Sequence, residues 1–348
     1  MRRVCKSCFG QNLKTFKPFC QLARAKGQDS LPSVQSPLFL ISLLTFSLAV
    51  LNANEASNPS TTPVAPKDPG TDQQIEREYQ QILADDDAAQ AEVDRWVREN
   101  DGQKTKLGGI SQEALEARIR ERFKPVLQAY ERFTRLHPED ARACLAFGNF
   151  LNARHDEAGA QKQWEKALEL DPKNAALYNN LACRYSESGQ VQKAFDYFDK
   201  AIEFASSEAT HYHNFGDSVY VFRKSAMDHY GLTEQQVFEK ALRLYSNAVR
   251  LQPLSFSFGW DFAQTYYALK PLSTEPALVA WTNTLRTARN ETERESVYLH
   301  FARIKMLAGR LDEAHEHLRA VTNVAHLELK TRLLRRIEEE EATTAKRQ

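Results

Sequence analysis

A chain that repeats its own packing residues every 34 positions has few folds open to it. Gly148, Ala160, Trp164 and Ala167 stand 12, 4 and 3 residues apart, and Ala182, Ala194, Phe198 and Ala201 reproduce those spacings 34 residues later. The same shift carries Phe147 onto Leu181 and Leu151 onto Tyr185. Small residues let two helices approach closely, and bulky residues fill the space around the approach. One helix pair cannot bury its apolar face alone, so such units must stack.

The pattern resembles the tetratricopeptide repeat, in which two antiparallel helices form each unit. Residues 141–174 carry Gly148, Ala160, Trp164, Ala167 and Pro172. Residues 175–208 carry Tyr178, Leu181, Ala182, Tyr185, Gly189, Ala194, Phe198 and Ala201. Three looser units follow. Unit 209–255 has Tyr212, Phe215, Gly216, Ala241, Tyr245, Ala248 and Pro253, with 13 extra residues between its halves. Unit 256–294 has Phe262, Ala263, Tyr266, Ala277 and Trp281, and unit 295–328 has Phe301, Ala302, Gly309, Ala314 and Leu318. The resemblance most closely concerns bacterial exported proteins of this kind. It implies an all-α, right-handed superhelical solenoid of about five to six antiparallel helix pairs, with a concave groove and no catalysis.

Around this array (141–328) the chain divides further. Residues 73–140 hold N-terminal helices and a degenerate first repeat around Tyr130 and Phe133. Residues 329–348 form a polar capping helix and tail. Ile75, Tyr79, Ile82, Val93, Trp96 and Val97 share one face of a helix of about 25 residues. Asp85, Asp86 and Asp87 sit in its middle as a solvated face or a break. Ser111 to His137 reads as one or two helices, with Pro125 marking a boundary or kink. Thr233 with Gln236 three residues on is a capping-box helix start.

The resemblance places the first helix of each unit along the groove. The groove residues it implies are Arg142, Asn149 and Asn152, then Asn179 and Glu187, then His213, Asp217 and Tyr220. The looser units add Trp260, Gln264 and Tyr267, and finally Arg303. Leu145, Cys183, Ser186, Thr210, Leu299 and Met306 occupy further lining positions. This mixed polar and aromatic lining suits an extended peptide or a partner's helix. The basic clamp with which some relatives grip a carboxy-terminal carboxylate is absent: Asn149 and Asn180 fit it, but Leu145, Thr210 and Asn214 replace its basic residues. In the insert, Tyr220, Phe222, Met227 and Tyr230 either project to a partner or pack against unit 256–294.

The amino-terminal segment has another character. Residues 1–53 carry seven basic residues and one acid, Asp29, followed by the apolar run Leu38 to Leu51. Fourteen residues make a helix of about 21 Å, short of the roughly 30 Å hydrocarbon core. That fits a cleaved secretory signal, with small residues at Ala49, Ala53 and Ala56. A retained anchor with its basic end in the cytoplasm and an organellar presequence are the other readings. The localisation expected is therefore exported and periplasmic, or inner-membrane anchored through residues 38–53. Residues 54–72 hold four Pro among small polar residues and read as a linker.

Elsewhere the sequence offers little chemistry. The chain has 46 basic and 46 acidic residues, so outside residues 1–53 the balance is 39 to 45. An acidic body argues against a nucleic-acid partner. No phosphate-binding loop, dinucleotide fingerprint, zinc-protease motif or nucleophile elbow occurs. His211 and His213, like His315 and His317, are two apart and point to different sides of a helix. Cys5 and Cys8, with Cys20, lack a fourth zinc ligand nearby, and Cys144 and Cys183 read as two buried free thiols of a packed array, with a disulfide in an oxidising compartment as the other reading. The expectation is a protein or peptide partner, with no catalytic residues, metal or cofactor. Membrane contact is expected only through an uncleaved amino-terminal segment.

Overall fold

The computed structural model describes residues 69–104 and 109–347. The basic lead, the apolar run, Cys5, Cys8, Cys20 and most of the linker lie outside the described residues, as do residues 105–108. The described residues form fourteen α-helices and two single-turn 3-10 helices, and no strand occurs among them. They fall into two compact units, one reaching Leu177 and one starting at Tyr178.

In the first unit, α1 (Pro69–Lys104) starts inside the expected linker, with Pro69 at a first-turn position where its missing N–H costs nothing. It runs unbroken through Asp85, Asp86 and Asp87 and lies antiparallel to α2 (Gln112–Leu136). The pairing is held by Arg122 on Glu92 at 2.7 Å, Tyr130 donating to Asp86 at 3.1 Å, and Arg118 over the Trp96 ring. Pro125 lies within α2, which stays one helix. α3 (Ala141–Ala153), capped by Asp140, and α4 (Glu157–Leu170), capped by Asp156, form the next pair. Gly148 faces the Trp164 indole so closely that a Cβ there would fall 2.5 Å from it. Cys144 is a buried free thiol, so it takes no part in the disulfide considered from sequence.

In the second unit, α5 (Ala175–Glu187, entering from the first unit) pairs with α6 (Val191–Phe204) through Tyr178 against Phe204 and Tyr185 against Tyr197. α7 (Ala209–Val221) pairs with α9 (Glu234–Leu251), α10 (Phe256–Thr265) with α11 (Thr274–Arg286), and α12 (Glu291–Leu307) with α13 (Leu311–Arg319). α14 (Leu327–Arg347) covers α12 and α13, burying Leu333 and Ile337. α12 starts four residues before the expected boundary at 295, capped by Asn290.

The insert folds as α8 (Arg223–Tyr230), closed by Gly231 in the left-handed region. It turns back onto α6 and α9: Tyr230 rests on Phe195 and donates to Asp199, and Lys240 lies 4.2 Å from its ring centre. This differs from both sequence expectations for the insert at Tyr230, because the aromatic surface of α6 supplies the nearer apolar partner. The capping box at Thr233 and Gln236 forms.

The turn between paired helices repeats as well. His155, Gly189 and Gly309 hold the same place in their units and take φ values of 63°, 85° and 74°. This left-handed turn reverses the chain in two or three residues. Gly189→Ala, with open space around its Cβ, should therefore cost about 1–2 kcal/mol through backbone strain alone. Gly148→Ala should cost about 1–3 kcal/mol through overpacking. Denaturant midpoints of the two variants check both values.

The core of α10 to α12 is built on Trp281 stacked on His300, with ring centres 4.0 Å apart and the Tyr267 hydroxyl 3.1 Å from His300 Nδ1. Burial, with the nearby Arg303 charge, pushes the imidazole from the ordinary 6.5 down to about 3. A depressed folded value means that stability is full above the unfolded value of 6.5 and falls as pH drops toward 3. Relative to wild type, His300→Phe should flatten the acid limb of the stability curve by up to one proton, about 1.4 kcal/mol per pH unit. Urea titrations across that range measure the slope.

Candidate functional site

Most of the groove residues expected from sequence lie on first helices, and their contacts divide them into two groups. In the first unit they serve the scaffold. Arg142 reaches Glu76 of α1 at 2.9 Å and its own cap Asp140 at 3.0 Å, lying over the Tyr79 ring. Asn149 accepts the Trp164 indole N–H at 3.0 Å, so it orients the aromatic that Gly148 receives. Asn152 is buried.

In the second unit the same class of residue links one first helix to the next. Asn214 of α7 donates to Asn179 of α5 at 3.0 Å, and Ser186 meets Ser218 at 2.9 Å. His213 of α7 reaches Asp261 of α10 at 2.9 Å. Tyr267, in the 3-10 turn Tyr266–Ala268 that ends α10, bonds His300 of α12. Glu187 pairs with Arg184 at 2.7 Å. The inner positions thus carry a line of polar links from α5 through α7 and α10 to α12.

The densest part of that line surrounds His213. Helical spacing puts His213 and Asp217 one turn apart on α7. Nε2 of His213 lies 2.9 Å from Asp261 Oδ2, and Nδ1 lies 3.7 Å from Asp217 Oδ2. Tyr245 of α9 donates to the other Asp217 oxygen at 2.7 Å. Phe258 stacks under the imidazole at 4.4 Å, which fixes the ring plane. Burial alone would lower the imidazolium, but the charge of Asp217 and the charge and hydrogen bond of Asp261 outweigh it and hold it at about 8. Burial, reinforced by the charges of Asp217 and Asp261, drives the Tyr245 hydroxyl well above its usual range.

Around this cluster stand Tyr220 and Arg303. Tyr220 packs on Phe238, and its hydroxyl is raised by burial against the opposing charges of Arg223 and Arg303. Arg303 of α12 holds its guanidinium 4.4 Å from the centre of the Tyr267 ring. Gln264 is half-buried on α10. Trp260 instead turns edge-on against Trp281 and His300 and belongs to the apolar core. Asp261, the residue beside it, is the one that reaches His213, and sequence reasoning missed it. Both residues lie in the regular part of α10, Phe256–Thr265, so the register carried over from the repeat pattern was one residue off in this looser unit. The i, i+4 pair His213 and Asp217 was the available signal.

Comparison with known proteins follows the same lines. A family model described as tetratricopeptide repeat matches residues 164–196. A TPR repeat-containing protein of Methanocaldococcus jannaschii is 25% identical over 174 residues, which are 48% of this chain and 28% of that protein. The chain therefore spans well under half the length of the curated relative it matches. Among solved structures, YrrB, a TPR protein with an unusual peptide-binding site, shares 16% identity at a TM-score of 0.47, covering 62% of this chain and 99% of that one. PilF of Pseudomonas aeruginosa shares 16% at a TM-score of 0.46, covering 74% and 99%. The chain is thus similar to tetratricopeptide-repeat proteins, and residues 164–196 match that repeat itself.

The raised His213 value has a sign that can be tested. Its contribution to stability is full below the unfolded value of 6.5 and is lost as pH rises through about 8. Asp217→Asn and Asp261→Asn should each lower the His213 titration midpoint toward 6.5. Proton–nitrogen NMR of the imidazole follows it directly.

Proposed function

We propose that this protein is a non-catalytic interaction scaffold that binds an extended segment of a partner polypeptide along the inner positions of α7, α10 and α12. The observation that carries this reading is the grouping of Asp261, Tyr220, Gln264, Tyr267 and Arg303 around one stretch of first helices. Asp261 keeps 38% of its side chain exposed beside a buried His213. Arg303 offers guanidinium donors with no carboxylate partner among the described residues. Side chains of both charges with two tyrosines can hold backbone amides, carboxylates and cationic side chains of one strand or helix. The tetratricopeptide fold supports a protein or peptide partner.

The proposed setting is outside the cytoplasm. A basic lead followed by the apolar run Leu38 to Leu51 supports export, with cleavage near Ala53 releasing a periplasmic protein. Retention of that run would instead tether the repeats beside a membrane complex as an assembly factor or an accessory subunit of an envelope enzyme. No helix among the described residues is long and apolar enough to cross a membrane.

A photo-crosslinking residue placed at Gln264 in the full chain should capture a discrete partner in cells. Arg303→Ala should reduce the purified pair's affinity by about tenfold, the effect of losing one well-placed charged contact, while thermal stability changes little. Affinity unchanged by Arg303→Ala and by Tyr220→Ala would exclude this face as the docking surface. Mass spectrometry of the native amino terminus distinguishes release from tethering.

A further inference from the structure

The inner face of α7, α10 and α12 carries two charges that do not neutralise each other. Arg303 has no carboxylate within ion-pair distance among the described residues, and its guanidinium lies 4.4 Å from the centre of the Tyr267 ring. Asp261 gives Oδ2 to His213, and its side chain stays 38% exposed. Both charges act on one neighbour, the Tyr220 hydroxyl. Burial raises that hydroxyl most, Arg223 and Arg303 oppose the rise, and Asp261 adds to it. A free guanidinium and a part-free carboxylate thus stand around the same tyrosine without pairing.

The Arg303 end is arranged to receive an anion. Tyr267 is fixed by its hydroxyl, 3.1 Å from His300 Nδ1 and 3.3 Å from the His300 backbone oxygen. Tyr267 and Phe238 pack against the same apolar core, and Tyr220 lies on Phe238. A guanidinium laid over a fixed ring leaves its edge N–H donors free, and their spacing matches the two oxygens of a carboxylate. The Tyr220 hydroxyl and the Gln264 amide, both half-buried, are further donors with no hydrogen-bond partner among the described residues. Asp261 works in the opposite sense: it repels a second acid and attracts a cation.

We propose that the partner segment docks through an Asp or Glu side chain on Arg303 and a Lys or Arg side chain beside it on Asp261. The inference rests on the docking reading above and names the chemistry of the segment that reading requires. An uncharged segment would cover both side chains and leave each without a counter-charge, which is unfavourable. A wholly acidic segment would set like charges together at Asp261, and a wholly basic one would do so at Arg303. An acid next to a base satisfies both ends, so the face selects its partner by charge order.

The test is selection of a random phage-displayed peptide library on the immobilised full chain, followed by fluorescence anisotropy with the selected peptides. The expected peptides carry an acid with a base adjacent or one helical turn away. Replacing the peptide's acid by its amide should weaken binding to wild type about tenfold and leave binding to Arg303→Ala unchanged. Replacing the peptide's base by glutamine should likewise weaken binding to wild type but not to Asp261→Asn. Arg303→Lys and Tyr220→Phe, which keep the charge and the ring, should each bind more weakly with unaltered circular dichroism. Peptides that lose affinity in Tyr220→Ala yet bear the exchange of acid for amide without loss would overturn the charge assignment and leave the docking reading standing. Peptides that bind wild type, Tyr220→Ala and Arg303→Ala alike would overturn both.

Discussion

Close approach between paired helices is the constraint on which the rest depends. A Cβ at Gly148 would meet the Trp164 indole, and one at Gly216 would fall 2.9 Å from the Tyr245 ring. The aromatic ring therefore sits where a side chain would otherwise separate the two helices. Ala182 and Phe198, both fully buried, hold the corresponding places in unit 175–208. At Gly148 and Gly216, packing at interior density leaves no room for the methyl group that Ala182 carries beside Phe198. The left-handed turn at His155, Gly189 and Gly309 is the other half of the device, because it starts the second helix at once.

Within the second unit, once the pairs are close, one face of each first helix is turned toward the first helices of its neighbours. In the second unit that face is polar, and its side chains bond across: Asn214 to Asn179, Ser218 to Ser186, His213 to Asp261, Tyr267 to His300. Buried polar groups hold a unique arrangement only when they are satisfied. These positions therefore set the register between neighbouring pairs in the second unit. Tyr245 ties this register to the packing within a pair, since the aromatic that meets Gly216 also carries the hydroxyl that holds Asp217.

Much of this was legible in the sequence, for a physical reason. Spacings of 12, 4 and 3 residues repeated at 34 encode helix contacts that are local, so helices, pairing and turns follow from short-range pattern. His213, Asp217, Tyr220, Tyr267 and Arg303 were named from their places in that pattern. Trp260 shows where it ended. In this looser unit the register is one residue off, so the indole packs edge-on beside Trp281 and Asp261 takes the polar position. Arg142 illustrates another limit: nothing in its own repeat announces Glu76, which lies on a helix outside the array.

The sequence by itself determined that helices would pair, where each pair would turn, and which positions would be small or bulky, because each of those choices is made within a few turns of chain. Tertiary structure alone decided what the polar residues do. Asp261 lies 48 residues from His213, and Asp199 lies 31 from Tyr230. Such pairs depend on the relative rotation of helices, which is set by the sum of many side-chain contacts and leaves no periodic trace along the chain.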